Sequence, residues 1–186
     1  MASVAPGGEV RREAGRLPAG PIRLRAEVVH GFGRGSKMLG FPTANMKIEW
    51  EADDAGADLD ENARSMLDFA KNCDAGVYAA WAQVADGKDR GVYKTAMSIG
   101  MNPTFTDVKR RTLEPWILHD YPEDFYGAEL RLIVCEHIRP ELSFEEFNDL
   151  VVAIREDGDW AKQRLDEPEL AKLQQDPWFD DSAPKL

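Results

Sequence analysis

The sequence predicts a mainly β, single-domain protein in which short antiparallel strands form a barrel or a sandwich and a helix follows near the C-terminus. Segments rich in apolar and β-branched residues recur at hairpin spacing, which favours antiparallel pairing of neighbouring strands. These segments are residues 24–29, 76–84, 93–99, 113–119 and 129–138. After a Ser143-x-x-Glu146 capping box, apolar residues recur at helical spacing instead, and Gly158 is expected to break this helix. The apolar helical face comprises Phe144, Phe147, Leu150, Val151 and Ile154.

Size and composition are those of a soluble globular protein with one domain. The chain has 186 residues, of which 43% are hydrophobic and 31% are charged. No apolar run is long enough to span a membrane or to form a signal peptide. With only two cysteines, Cys73 and Cys135, a disulfide framework is not expected. The formal net charge of -11 disfavours binding to nucleic acid, because a polyanion would be repelled by most of the surface. A monomer with small-molecule partners, and with no nucleic-acid or membrane partner, is expected.

Two segments differ from the rest in composition. Residues 1–20 combine glycine, proline and charged residues without periodicity, so we expect a disordered tail before a domain over residues 21–186. Residues 51–72 begin with an acidic stretch and continue with apolar residues at helical spacing. These apolar residues are Leu59, Ala63, Met66, Leu67 and Ala70. We expect a surface insertion with one short amphipathic helix and no direct role in function.

A glycine-rich stretch at residues 31–45 is the main candidate for a binding site. Its glycines allow sharp turns and close approach of the backbone to an anion, and its polar residues favour phosphate. The glycines are Gly31, Gly33, Gly35 and Gly40, and the polar residues are Arg34, Ser36 and Lys37. Pro42 favours an extended segment in which Thr43 and Asn45 point to the same face. An ordinary surface turn explains the glycines equally well, because the stretch matches neither a Walker A loop nor a Rossmann fingerprint.

The complete run Gly-x-Gly-Arg-Gly-Ser-Lys-x-Leu-Gly-Phe-Pro-Thr-Ala-Asn resembles the signature of riboflavin kinases of the monofunctional eukaryotic type, which phosphorylate riboflavin to FMN. Further runs in the order of that family are residues 98–103, 112–119, 124–127 and 139–141. The resemblance implies a six-stranded antiparallel Greek-key β-barrel with a C-terminal α-helix, and ATP:riboflavin 5′-phosphotransferase activity. The chain has no room for the adenylyltransferase domain that bacterial members often carry, so it is expected to form FMN and not to adenylylate it.

The resemblance also implies roles for individual residues. Glu114 would be the catalytic base, and Thr43 and Asn45 would bind Mg²⁺, or else Zn²⁺ or Mn²⁺, together with the phosphoryl donor ATP. The implied nucleotide-binding residues are Gly33, Arg34, Gly35, Ser36, Lys37, Pro42 and Phe125. The implied flavin-binding residues, for riboflavin as substrate and FMN as product, are Arg111, Thr112 and Arg139. Without the family context, Glu114 is most simply an exposed carboxylate at the start of a strand, and Arg139 is explained nearly as well as a surface arginine.

Two other functions stay open at this level. The same barrel is compatible with a kinase for another polyol or a nucleoside, and with a non-catalytic flavin-binding module. The combination of Thr43, Asn45 and Glu114 argues against a module that only binds, because binding alone needs neither metal ligands nor a base. The expected location is the cytoplasm. The terminal Pro184-Lys185-Leu186 is one residue from the Ser-Lys-Leu address, so a peroxisome-like organelle is the alternative.

Overall fold

Antiparallel strands dominate the computed structural model, which describes residues 2–31, 40–101 and 110–180. Its strands, numbered in chain order, are β1 (Ala2–Val4), β2 (Gly15–Arg16), β3 (Ile22–Val29), β4 (Asn45–Met46), β5 (Gly76–Val84), β6 (Tyr93–Met101), β7 (Arg111–Ile117), β8 (Glu129–Pro140) and β9 (Leu142–Phe144). Its α-helices are α1 (Trp50–Asp54), α2 (Glu61–Asn72), α3 (Phe147–Arg164) and α4 (Pro168–Ala171), and 3₁₀ turns follow at Lys172–Gln175 and Pro177–Phe179. None of the helices in these described ranges combines the length and the apolar character that crossing a membrane requires.

Six of these strands close into a barrel. They follow one another as β3, β4, β7, β6, β5 and β8, and β8 pairs again with β3 to complete the ring. All six pairings are antiparallel. This arrangement confirms the predicted six-stranded antiparallel barrel and decides against a sandwich. The five strand segments expected from the sequence coincide with β3, β5, β6, β7 and β8 to within two residues at each end.

Alternation along the strands directs one set of apolar side chains into the barrel. The buried interior includes Leu24, Val28, Met46, Tyr78, Met97, Ile99, Leu113, Leu130, Leu132 and Val134. Burial of each such side chain contributes on the order of 1.5–3 kcal/mol. The residues between them point outward, where they meet either α3 or the solvent.

The acidic segment over residues 51–72 contributes to the core instead of decorating the surface. It forms two helices, and α2 closes one end of the barrel. Met66, Phe69 and Ala70 are buried because their i, i+3 and i+4 spacing places them on one face, toward the barrel interior. Asp60 caps the N-terminus of this helix by accepting a backbone N–H at 2.8 Å. The expected surface insertion is therefore corrected to a core helix preceded by an exposed acidic stretch.

The N-terminal residues are ordered against the barrel, in contrast to the expected tail. β1 pairs in parallel with β9, and β2 pairs with β8. The Arg12 guanidinium donates to the buried Asp157 carboxylate and to the Ala153 carbonyl, each at 2.9 Å. Asp157 lies 145 positions further along the chain. Local patterning in the sequence cannot reveal a partner at that distance.

Helix α3 lies on the outer surface of the barrel and is continuous over 18 residues. Gly158 does not break it. The ring of Trp116 packs on the Gly158 backbone, and a Cβ there would lie 2.5 Å from Trp116 Cζ3. The expected capping box does not form, because Ser143 belongs to β9 and Glu146 makes no side-chain cap bond. The expected apolar face is only partly covered, with Phe147 58% exposed. The buried positions of α3 are Ala153, Asp157, Gly158 and Ala161.

We expect Gly158→Ala to destabilise the protein by about 1–3 kcal/mol, although alanine has the higher helix propensity by about 1 kcal/mol. The added methyl group would overlap the Trp116 ring, which has little room to retreat because Phe41 packs edge-on against it with centroids 4.9 Å apart. Urea unfolding followed by circular dichroism measures the change. In a Trp116→Leu background the same substitution should be neutral or stabilising. Stabilisation in the parent background would contradict this account.

Candidate active site

The outer face of β4, β7 and β6 brings together the main residues expected at the site. Met46 pairs with Leu113, and both side chains point inward. The adjacent residues Asn45 and Glu114 therefore face each other on the outside of the barrel. On the other flank of β7, Glu114 pairs with the exposed Ser98 of β6. Asn45, Glu114 and Ser98 thus form a row across three strands, which we call the Glu114 row.

Thr43 extends the same face beyond the Glu114 row. The backbone N–H of Ala44 donates to the Pro115 carbonyl at 2.8 Å, so the pairing with β7 continues past the two residues of β4. Since the side chain of Ala44 is buried in the core, alternation places Thr43 on the outer face with Asn45. The two oxygen-bearing side chains share a face, as the sequence pattern indicates.

A neighbour on the same strand orients the Glu114 carboxylate. The Thr112 hydroxyl donates a hydrogen bond to Glu114 Oε1 at 2.9 Å. Both side chains are partly buried, and both lie on the outer face, because Leu113 between them points inward. A carboxylate held in this way can accept the proton of a hydroxyl group placed beside it. Thr112, expected to contact flavin, is thus next to the expected base.

Gly31 makes room for the Asn45 amide. A Cβ at position 31 would lie 2.4 Å from Asn45 Nδ2 and 2.8 Å from Asn45 Oδ1, so a larger residue would displace the amide. In residues 2–31, 40–101 and 110–180, no group of three or more His, Cys, Asp or Glu side chains is placed to hold a metal ion. The neutral oxygens of Thr43 and Asn45 fit a hard divalent cation whose other ligands are water and nucleotide phosphates.

The residues expected to bind nucleotide lie partly outside the described ranges. Those outside are Gly33, Arg34, Gly35, Ser36 and Lys37. Pro42 is exposed, and the half-buried Phe125 packs against Tyr121 with ring centroids 4.9 Å apart. Tyr126 is 50% exposed and stacks on His30 at 3.8 Å between centroids. This stack gives a flat aromatic surface just before the glycine-rich stretch. Residues 124–127 belong to a run that resembles the family, but the partner His30 could not be read from that run.

The basic residues at the start of β7 are bound by the helices that follow β4. Arg111 Nη1 donates to the Ala70 carbonyl at 3.1 Å, near the C-terminal end of α2. Arg110 donates to the carboxylates of Glu51 and Asp54 in α1. Both guanidinium groups are therefore held at the helical segment. The structure does not bring Arg111, expected to contact flavin, to the Glu114 row.

Arg139, also expected to contact flavin, is buried beneath α3. Its guanidinium binds Asp157 at 2.9 Å from Nε to Oδ1 and at 2.7 Å from Nη2 to Oδ2. Arg12 Nε donates to the same Oδ1 at 2.9 Å. Each of the three side chains is less than 10% exposed. An ion pair between barrel and helix accounts for these contacts, and the structure places Arg139 there and not in the Glu114 row.

Ser98, which belongs to the Glu114 row, and its neighbours Gly100 and Glu141 had no role assigned from the sequence. Ser98 and Gly100 alternate along β6, opposite Glu114 and Thr112. Glu141 Oε1 lies 2.4 Å from the point that a Cβ on Gly100 would occupy. All three belong to runs that resemble the family signature, but their proximity depends on strand register and could not be read from those runs.

A cleft of about 340 Å³ opens elsewhere, between α2 and the strands β3 and β8. Its charged lining consists of Arg25, Lys47, Glu27, Glu49, Asp60, Asp86 and Glu129. The excess of carboxylates over cations disfavours a phosphate-bearing ligand. Its lining, within the described ranges, excludes the Glu114 row.

Comparisons with known proteins show the family of this chain. A family model described as "Flavokinase: Riboflavin kinase" matches residues 19–165. Riboflavin kinase of Mus musculus is 39% identical over 166 residues, which cover 89% of this chain and 95% of the mouse protein. The bifunctional riboflavin kinase/FMN phosphatase of Arabidopsis thaliana is 45% identical over 163 residues, but these span 88% of this chain and only 38% of the plant protein. The crystal structure of riboflavin kinase from Trypanosoma brucei matches with a TM-score of 0.61 and 29% identity, over 90% of this chain and 94% of that one. This chain belongs to the riboflavin kinase family.

Proposed function

We propose that this chain transfers the γ-phosphoryl group of ATP to the 5′-hydroxyl of riboflavin and releases FMN and ADP. Family membership supports the substrates. The observation that carries the chemistry is the placement of Glu114 opposite Asn45, at the end of a glycine-rich stretch. In the reaction the hydroxyl oxygen forms a bond to the γ-phosphorus, and the bond from that phosphorus to the β–γ bridging oxygen breaks. The hydroxyl proton passes to Glu114.

In this proposal the side chains of the outer face have separate roles. Thr112 holds Glu114 in position through the 2.9 Å hydrogen bond, so that the second carboxylate oxygen can face the substrate hydroxyl. Thr43 and Asn45 would hold Mg²⁺, which when bound neutralises charge on the ATP phosphates. Neutral oxygen ligands suit Mg²⁺ or Mn²⁺ better than Zn²⁺, for which nitrogen and sulfur ligands are common.

Mg²⁺ should bind negligibly without nucleotide and clearly in the presence of ADP, because both proposed protein ligands are neutral. Gly31→Ala should weaken Mg²⁺ binding to the ADP complex by about tenfold or more, since its methyl group would displace the Asn45 amide. Isothermal titration calorimetry measures both effects. Gly15→Ala is a matched control, because its Cβ would make only ordinary contacts of 3.4 Å or more. Tight Mg²⁺ binding by the free protein would contradict the proposed site.

The test of the proposed function is to incubate the protein with riboflavin and Mg-ATP and to follow FMN and ADP by chromatography. Stoichiometric appearance of both products is the expected result. A non-catalytic flavin-binding module would quench riboflavin fluorescence without consuming ATP. A kinase for another polyol or a nucleoside would consume ATP with that substrate and leave riboflavin unchanged.

We further propose that the enzyme is a monomer located in the cytoplasm. Residues 184–186 lie outside the described ranges, so the peroxisomal alternative rests on the sequence alone. Proline replaces the serine of the Ser-Lys-Leu address, so a fluorescent reporter that ends in these residues should remain cytosolic. Import of the reporter into peroxisome-like organelles would overturn the proposed location. Sedimentation equilibrium tests the oligomeric state.

A further inference from the structure

Glu141 occupies a fixed position at the junction of β8 and β9. Its backbone N–H donates to the Ala75 carbonyl at 3.1 Å. The preceding residue, Pro140, is the last of β8 and pairs with Gly76 of β5. The backbone of Glu141 is therefore held in place by the pairing of β8 with β5 and does not belong to a loose loop.

The Glu141 carboxylate reaches over the edge of the Glu114 row by lying on Gly100. Its Oε1 is 2.4 Å from the point where a Cβ on Gly100 would stand. Gly100 pairs with Thr112, so that point is on the outer face, which carries Thr112 and Glu114. Gly100 is two residues along β6 from Ser98, the partner of Glu114. The Glu114 carboxylate leans toward the same end of the strands through its hydrogen bond to Thr112, so both carboxylates border one stretch of the outer face.

The Glu141 carboxylate is partly buried. Burial raises the pKa of Glu141 and outweighs the attraction of nearby positive charges, which are those of the N-terminal amine, Arg111 and Arg139. Within the described ranges no side chain or backbone N–H donates a hydrogen bond to it. A partly buried carboxylate accepts hydrogen bonds only, and it is destabilised when no donor is present. A ligand that brings hydroxyl or N–H donors to this surface would remove that cost.

We propose that Glu141 is a substrate-binding residue whose carboxylate accepts hydrogen bonds from the secondary hydroxyls of the ribityl chain. This inference rests on the proposed function. Glu114 takes the 5′-hydroxyl, and Glu141 lies over the neighbouring pair of Gly100 and Thr112, so it is placed to meet hydroxyls further along the same chain. The oxidised flavin ring offers mainly acceptors along its polar edge, whereas every ribityl carbon beyond the first carries a hydroxyl donor. Glu141 thereby selects a polyhydroxylated chain over a plain alkyl alcohol.

The test compares two substrates: riboflavin, and a flavin with a 5-hydroxypentyl chain, which keeps the terminal hydroxyl but lacks the secondary ones. Glu141→Ala should lower kcat/KM and weaken binding of riboflavin by about tenfold to a hundredfold, the value of a hydrogen bond to a charged group. For the hydroxypentyl analogue, the same substitution should leave kcat/KM and affinity unchanged. Riboflavin affinity measured by fluorescence gives a readout independent of turnover. Glu146→Gln, an exposed carboxylate on the same segment, is the matched control.

Gly100→Ala provides a second variant that keeps the charge. Its Cβ would displace Glu141 Oε1, so it should reproduce the selective loss with riboflavin. Equal losses with both substrates, or no loss with either, would overturn the role of Glu141 while FMN formation by the parent enzyme still upheld the proposed function. Failure of the parent to form FMN would overturn both. Unfolding midpoints of all variants separate loss of contact from loss of fold.

Discussion

Glu114→Gln should lower kcat by about a hundredfold or more, the usual contribution of general base catalysis. Glutamine keeps the size of the side chain and can still accept the Thr112 hydroxyl, but it cannot take up the proton of the 5′-hydroxyl. The affinities for riboflavin and Mg-ATP should change far less, because the amide still forms a neutral hydrogen bond to the substrate. Steady-state kinetics together with fluorescence titration of riboflavin separate the two effects.

The control for this experiment is Glu123→Gln, which removes an exposed carboxylate between β7 and β8. It should leave kcat and the free energy of unfolding unchanged. A folded Glu114→Gln enzyme that saturates with substrate and turns over nearly as fast as the parent would remove Glu114 from the mechanism. Loss of the folded state in this variant would instead show that the Thr112–Glu114 pair is structural, and the base would have to be sought elsewhere on the outer face.

Asp157→Asn should destabilise the protein by about 3–5 kcal/mol, a large part of the stability of a typical domain. The carboxylate is 4% exposed and is the shared partner of Arg12 and Arg139, which are 9% and 6% exposed. Asparagine has the same shape, but its NH₂ group would face guanidinium donors, and the charge that balances them would be gone. Arg12 retains Glu156 at 3.0 Å, so the uncompensated charge falls mainly on Arg139.

Urea unfolding measures this effect, and Asp159→Asn is the matched control on the same helix. Asp159 pairs with Lys162 at 3.3 Å, but both side chains are more than half exposed. Its loss should cost no more than about 0.5 kcal/mol. A small effect of Asp157→Asn would mean that water or a rearranged side chain relieves Arg139. Replacing Asp157 and Arg139 together with apolar residues should recover much of the lost stability.

The strands could be predicted from the sequence because their pattern is local. Each strand of the barrel alternates between inward and outward residues, and this alternation needs no knowledge of the partner strand. The proposed site residues Thr43, Asn45 and Glu114 were also indicated by the sequence, through the motif and the family resemblance. That Asn45 stands opposite Glu114 was not predictable, because the pairing of β4 with β7 bridges two helices and two strands of intervening chain.

The errors have a common physical origin in partners that lie far away in the sequence. Residues 51–72 looked like decoration because their acidic beginning hid the fact that Met66, Phe69 and Ala70 close a barrel end. The ion pair of Arg139 was not predictable, because its counter-charge, Asp157, belongs to a different element. Gly158 looked like a helix breaker because the ring that fills the space above it comes from β7.

The position of β8 has a consequence for synthesis on the ribosome. β8 pairs with β3 and β5 and thereby turns an open sheet into a ring, and it also pairs with β2. Until Pro140 has left the exit tunnel, the nascent chain carries β3 and β5 with unpaired backbone edges, which are templates for association with other chains. β1 stays unpaired for longer still, until β9 has been synthesised. These edges stay unpaired until β8 has emerged, and slow codons before β8 would prolong that exposure.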